Sequence, residues 1–231
     1  MSENAAARGS ADRNRAIAWA AQILGPVVDA EVVYDHSDAV TTRVRCEGGT
    51  GYLKQGPGLV AEADMLRRLE VFGGEVGGLR IPELLAVQEG DGSGPNRLLT
   101  AEVPGRDLTQ LVDQPERVVR LLASALRMLH AAPTAPLRDL AGVGAGADVV
   151  VIHGDACLPN VLVDAAGEAP TGLVDVGEMR LGRREDDLAA ACWSIGYNVG
   201  IEWGSAFLRH YGWEYDNEQT ARDLAADYGE L

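Results

Sequence analysis

The spacing of apolar and polar positions changes along the chain and divides it into two halves of different character. Between residues 27 and 101, short runs rich in Val, Thr, Leu and Tyr, set off by glycines and other turn formers, predict strands at 27–34, 39–46, 50–55, 84–88 and 97–101. One segment breaks that alternation: over 59–69 the apolar residues recur every three to four positions in a stretch rich in Ala, Leu and Met, which predicts a helix between the third and fourth strands. An antiparallel sheet carrying one helix follows for this half. Beyond residue 105 the helical period dominates. Apolar residues at 118, 119, 121, 122, 125, 126 and 129 form a buried stripe behind Pro115, a residue suited to a first helical turn. Further helices are predicted near 185–199, 203–211 and 217–228, so the second half is mainly helical. The expected class is therefore α+β. The expected domains are a polar tail over 1–15 before a helix at 16–24, an N-terminal lobe over 16–101 and a C-terminal lobe over 102–231.

Two apolar runs in the second half hold a polar loop between them. Val149-Val150-Val151-Ile152 leads into His153-Gly154-Asp155-Ala156-Cys157-Leu158-Pro159-Asn160, and Val161-Leu162-Val163 leads out. Fifteen residues beyond Asn160, Asp175 sits in a second apolar run, Leu173-Val174-Asp175-Val176. Two carboxylates and an amide are oxygen donors of the kind Mg²⁺ prefers, with one carboxylate left to act as a base. That set suits phosphoryl transfer, in which the protein positions a nucleophile and neutralises charge.

Composition adds a second anchor. Of the 20 basic residues only Lys54 is a lysine, and it lies in a predicted strand. A compact ammonium fits among phosphate oxygens where a planar guanidinium does not. Eight residues on, Glu62 lies on the predicted helix, and a strand lysine followed by a helix glutamate is the pairing of the protein-kinase-like folds. The glycine-rich stretches at 73–78, 90–94 and 142–146 have neither Walker A nor GxGxxG spacing.

On these residues the chain resembles the aminoglycoside 3′-phosphotransferases, antibiotic kinases with a two-lobed protein-kinase-like fold. The octet HGDACLPN and the segment Val174-Asp175-Val176-Gly177 carry most of the likeness, which extends over roughly 25–231 through Ser37-Asp38-Ala39, 98–108, Asp187-Leu188-Ala189 and the terminal helices. The resemblance implies Asp155 as the catalytic base, and Asn160 and Asp175 as Mg²⁺ ligands. It implies that Lys54, braced by Glu62, contacts the phosphates of ATP, that Ser37 reaches a phosphate, and that the backbone of Ala101 and Val103 meets the adenine in a cleft between the lobes. Asp227, Glu230 and the terminal carboxylate of Leu231 would grip substrate amines. His153 would brace its loop, and Cys157 would pack. The sequence departs from the family at Glu178 and Trp193, where arginines are common, and in the short stretch 131–152. These departures leave room for a different acceptor on the same fold, such as a peptide antibiotic, a macrolide or an amino-alcohol metabolite. A catalytically silent nucleotide-binding module is disfavoured because all three oxygen-bearing residues are present.

A net charge of −15 argues against nucleic acid and favours cationic small molecules. No apolar run is long enough to span a membrane, and the polar N-terminus does not read as a secretory leader. Cys46, Cys157 and Cys192 are too few for a disulfide framework and lack zinc-finger spacing, which suits a reducing cytoplasm. A monomer or weak dimer is expected.

Overall fold

A computed structural model of the chain describes residues 3–36, 39–90, 95–141 and 149–229. It divides into two compact units, one of Met1–Arg67 with Pro82–Glu102, the other of Arg68–Ile81 with Val103–Leu231.

The first unit begins with helix α1 (Glu3–Leu24), followed by strands β1 (Val27–His36), β2 (Ala39–Cys46) and β3 (Gly49–Gly56) and by helix α2 (Leu59–Leu69). The helix thus starts at Glu3, where the sequence reads as a tail through residue 15. Alanines at 5–7 and the lack of any proline before residue 26 explain why the helix extends backwards. Later in the chain come the two-residue strands β4 (Glu75–Val76) and β5 (Leu79–Arg80), then β6 (Leu84–Gln88) and β7 (Asn96–Ala101). The sheet of this unit is antiparallel throughout, in the order β1-β2-β3-β7-β6. Ala16 and Ala20 of α1 pack with Val44, Leu53 and Leu99 of the sheet, Trp19 beside them. Small residues on the helix let it lie close to the strands, and complete burial of a residue such as Leu53 contributes about 1.5–3 kcal/mol.

Residues 68–81 leave the N-terminal lobe expected from sequence and join the second unit. The reason is local: Arg80 of β5 pairs in parallel with Gly172, and Gly77, at φ +62°, lies so close to the chain at Met128 that a Cβ there would fall 2.2 Å from the Met128 carbonyl oxygen. Only glycine fits both the left-handed backbone and the contact.

The second unit continues with β8 (Arg106–Asp107), α3 (Pro115–His130), α4 (Ala135–Ala141), β9 (Val149–Ile152), β10 (Val161–Val163), β11 (Pro170–Leu173) and β12 (Arg180–Arg183), then α5 (Arg184–Asn198), α6 (Gly204–Tyr211) and α7 (Glu218–Tyr228). The predicted stripe of α3 is buried at every one of its positions. Helix α4 has no counterpart in the sequence reading, which found only a short Ala-, Gly- and Pro-rich stretch there. One small sheet runs β4-β5-β11-β10-β8, and β9 pairs with β12 in a second. Together these strands frame the polar loop, and the helices supply its support.

Candidate active site

The loop leaves β9 at Ile152 and is shaped first by Gly154. That residue has φ +89°, and a Cβ on it would lie 2.6 Å from both the Glu178 carbonyl oxygen and the Arg180 guanidinium. Glycine is therefore required for the turn that presents Asp155. The chain then tightens: the Cys157 N–H donates to the Asp155 carbonyl at 2.8 Å, the Leu158 N–H donates to Ser194 Oγ at 2.9 Å, and Leu158-Pro159-Asn160 form a single 3₁₀ turn. Asn160 Nδ2 donates back to the Asp155 carbonyl at 3.0 Å and to Asp155 Oδ2 at 2.9 Å. The second carboxylate oxygen, Oδ1, accepts from the Tyr228 hydroxyl of α7 at 2.8 Å. Burial first, then the hydrogen bond to Asp155, pushes the Tyr228 phenol upward, so it remains a donor.

Beneath the loop lies Asp187, fully buried at the start of α5. Its Oδ2 accepts from the His153 N–H at 2.9 Å and from His130 Nε2 at 3.0 Å, and its Oδ1 accepts from the Gly154 N–H at 2.9 Å. Burial works to raise its pKa, but the hydrogen bond from His130, then the electrostatic influence of the adjacent His153 and His130 rings and the His153 N–H, outweigh it and hold the group below the usual carboxylate range. The network continues outward. The Tyr211 hydroxyl, pushed up to about 12 mainly by burial, donates to His130 Nδ1 at 2.7 Å, which leaves Nε2–H to face Asp187. His153 is tied in the same way: Nδ1 accepts from the Asp155 N–H at 3.2 Å and Nε2 donates to the Val174 carbonyl at 3.0 Å. It braces the loop, as the resemblance implied. Cys157 is a buried thiol pushed up to about 12, chiefly by burial and then by Asp155, so it stays protonated.

Strand register brings the third oxygen-bearing residue near. In the β10–β11 hairpin Val161 pairs with Leu173, and the Val174 N–H donates to the Asn160 carbonyl at 3.0 Å. Asn160 thus sits across from the residue before Asp175. Among the described residues Asp175 is the one non-glycine with positive φ, at 59°, a conformation that costs an L-residue on the order of 1 kcal/mol and is best tolerated by Asp and Asn. The donor chemistry fits a hard divalent cation. Both hydrogen bonds of the Asn160 amide use Nδ2, so its Oδ1 is an oxygen donor of the kind such a cation takes, and the Asp175 carboxylate is of the same donor type. Among the described residues no cluster of three or more His, Cys, Asp and Glu side chains forms a separate metal site.

In the first unit, Lys54 Nζ of β3 lies 2.6 Å from Glu62 Oε1 of α2, both side chains largely shielded at 20% and 13% exposure. The strand lysine and helix glutamate paired in the sequence are paired in space. At the end of β7 the Ala101 N–H is already spent on the Glu83 carbonyl at 2.9 Å, so only its carbonyl is left to meet a ligand. The Val103 side chain is buried in the second unit. Asp227 is exposed on the last turn of α7 and makes no hydrogen bond or ion pair among the described residues. Ser37, Glu230 and Leu231 lie outside the described residues.

Four contributors have no role in the sequence alone: Asp187, His130, Ser194 and Tyr228; Trp193, the wall beside Tyr228, stands out there only as a departure from the resembling family. Asp187 carried a signal, an acid followed at once by a long apolar helix face, since a charge there is buried and must be paired. Ser194 and Tyr228 carried none, because each meets the loop from a distant helix.

Comparison with known proteins agrees with this architecture. Residues 138–224 match the family model described as "Phosphotransferase enzyme family". An aminoglycoside 3′-phosphotransferase of Streptomyces ribosidificus is 39% identical over 79 residues, covering 32% of this chain and 30% of that protein. The aligned stretch thus spans under a third of that relative's length. Among solved structures, an aminoglycoside-3′-phosphotransferase of type VIII superposes with a TM-score of 0.66 at 25% identity, over 93% of this chain and 98% of that one. A complex of the aminoglycoside phosphotransferase APH(4)-Ia with ADP and hygromycin B has a TM-score of 0.65 at 14% identity, over 90% of this chain and 86% of that one, a likeness of fold alone. The resemblance read from the octet is borne out: the chain is similar in sequence to a 3′-phosphotransferase over a 79-residue stretch, its residues 138–224, which hold the octet and Asp175, match the phosphotransferase family model, and it has the protein-kinase-like fold of these enzymes.

Proposed function

We propose that this chain, similar to the aminoglycoside phosphotransferases in its motif segment and its fold, is an ATP-dependent kinase. It transfers a phosphoryl group to a hydroxyl of an aminoglycoside, the 3′-hydroxyl first among them, and so confers resistance. The observation that carries this reading is the Asp155–Asn160 side-chain bond on a rigid loop with Asp175 across the adjoining hairpin.

Asp155 would accept a hydrogen bond from the acceptor hydroxyl, align it with the terminal phosphate and take its proton as the bond to phosphorus forms. Its orientation is set in advance by Asn160 and by the N–H groups clamped on Asp187. Asn160 Oδ1 and Asp175 would hold Mg²⁺, which when bound would offset phosphate charge. Lys54, held by Glu62, would contact the phosphates. The carbonyl of Ala101 and the backbone of Val103 remain the proposed adenine contacts, with Ser37 on a phosphate and Asp227, Glu230 and Leu231 on substrate amines. Charge matching supports a polycationic acceptor, since the chain carries −15. Three free, buried cysteines are compatible with the cytoplasm, and no helix among the described residues is long and apolar enough to cross a membrane.

The test is mass spectrometry of kanamycin, neomycin and a panel of macrolides, peptide antibiotics and amino alcohols after incubation with the protein, ATP and Mg²⁺. A gain of one phosphoryl group on the aminoglycosides supports the reading. Transfer only to another class, or to nothing in the panel, refutes it.

A further inference from the structure

Both oxygens of the Asp155 carboxylate are already engaged, and the two bonds are not alike. Asn160 belongs to the same loop and binds both the Asp155 carbonyl and Oδ2 through one nitrogen, so that bond is part of the loop's own shape. Tyr228 arrives from 73 residues away on the final residue of α7, with 41% of its surface exposed, and donates an O–H to Oδ1 at 2.8 Å. An O–H donated to Asp155 is also the contact an acceptor alcohol must make. The phenol therefore holds the place of a substrate hydroxyl, on the more readily displaced of the two supports.

The phenol's surroundings indicate what replaces it. The Tyr228 ring lies against Trp193 with centroids 5.6 Å apart at 51°, and Trp193 in turn stacks on Tyr197 at 5.5 Å and 8°. Tyr197 is 72% exposed, so this pair of faces reaches from the base out to solvent. Aromatic faces attract ammonium groups and pack against the C–H faces of sugar and cyclitol rings.

We infer that Tyr228, Trp193 and Tyr197 form the acceptor subsite of Asp155: the Tyr228 hydroxyl gives way to the substrate hydroxyl, and the Trp193–Tyr197 face takes the aminated ring that carries it. The inference rests on the phosphotransferase reading for its chemistry but makes a separate claim about binding. Tyr228→Phe removes the internal competitor and leaves the ring packing. The Michaelis constant for kanamycin then falls about three- to tenfold, the size of one net hydrogen bond, with that for ATP unchanged. Trp193→Ala, and the fold-safe surface change Tyr197→Ala, raise it by about two- to thirtyfold, the range of a cation–π contact.

Calorimetric binding of kanamycin without nucleotide reads the same order of affinities, Tyr228→Phe tightest and Trp193→Ala weakest, independently of turnover. If wild type phosphorylates kanamycin but the variants keep its affinity, the subsite is overturned and the kinase reading stands. If nothing is phosphorylated yet the order of affinities holds, the kinase reading fails and the subsite stands. A fall in kcat for Tyr228→Phe with unchanged acceptor affinity would make Tyr228 a brace of the base and overturn the inference, as would failure of kanamycin to bind the wild type.

Discussion

The Lys54–Glu62 pair and the Asp155 loop are built by opposite means. Lys54 sits in the middle of a regular strand, and Glu62 projects from the first turn of the helix that follows; one short ion pair joins them. Sheet register and helix period alone bring the two groups together. The Asp155 loop has no such regularity. It is held by a buried carboxylate, a histidine, a serine and a tyrosine from three separate helices, by its own His153, and by a glycine and, across the adjoining hairpin, an aspartate in left-handed backbone. A group that needs only to offer charge can stand on secondary structure, whereas a base that must be aimed needs a shell of directional bonds.

Substitutions can break that contrast. The largest effect is expected at Asp155→Asn, which should lower turnover by about 10²–10⁴-fold while thermal unfolding and nucleotide binding stay as in wild type. Retained turnover would remove Asp155 from its role. Next is Asp187→Ala, which strands two buried N–H groups and His130. It should destabilise by about 3–5 kcal/mol, lowering the melting temperature by roughly 6–20 °C, and should abolish activity even though Asp187 touches no substrate. A melting temperature within a degree or two of wild type would show that the loop does not depend on it.

Acid titration addresses the same carboxylate. The folded pKa of Asp187 is depressed, so its contribution is fully present above the ordinary carboxylate value near about 4 and is lost as pH falls through the lower folded value. Urea midpoints measured downward from pH 5 should therefore fall more steeply for wild type than for Asp187→Asn, and parallel curves would contradict this. In the first unit, Lys54→Arg should raise the Michaelis constant for ATP severalfold with little loss of stability, because arginine keeps the charge that faces Glu62 but not the compact ammonium. Equal loss of stability and nucleotide affinity would erase the distinction between the two regions. A loss of stability alone is expected for Ser194→Ala, which removes one acceptor from the buried Leu158 N–H and should cost about 1–3 kcal/mol, read by chemical unfolding.

Particular residues show where the sequence sufficed. Periodicity placed the five strands of the first sheet, α2, α3 and the terminal helices, because each buries one face and the side chains must alternate accordingly. The octet and Asp175 were legible because chemistry restricts them to a few residue types, and Lys54 because it is the sole lysine. Over 3–15 helix α1 has no apolar stripe to announce it, and the seven residues of helix α4, Ala135–Ala141, are too few for a period to register. Sequence order alone places residues 68–81 in the first lobe, because a two-residue strand such as β5 finds its partner, at Gly172, only in the fold.

The sequence by itself determined the local elements and the reactive residue types, since helix and strand periods and oxygen-donor chemistry act within a few residues of each other. Tertiary structure alone decided what meets the Asp155 loop: Asp187 is 32 residues from Asp155 along the chain, Ser194 39 and Tyr228 73, and each bond exists only because packed helices return to the same loop. Directional hydrogen bonds fall off within ångströms, so no spacing along the chain encodes them; they are specified by how buried faces pack.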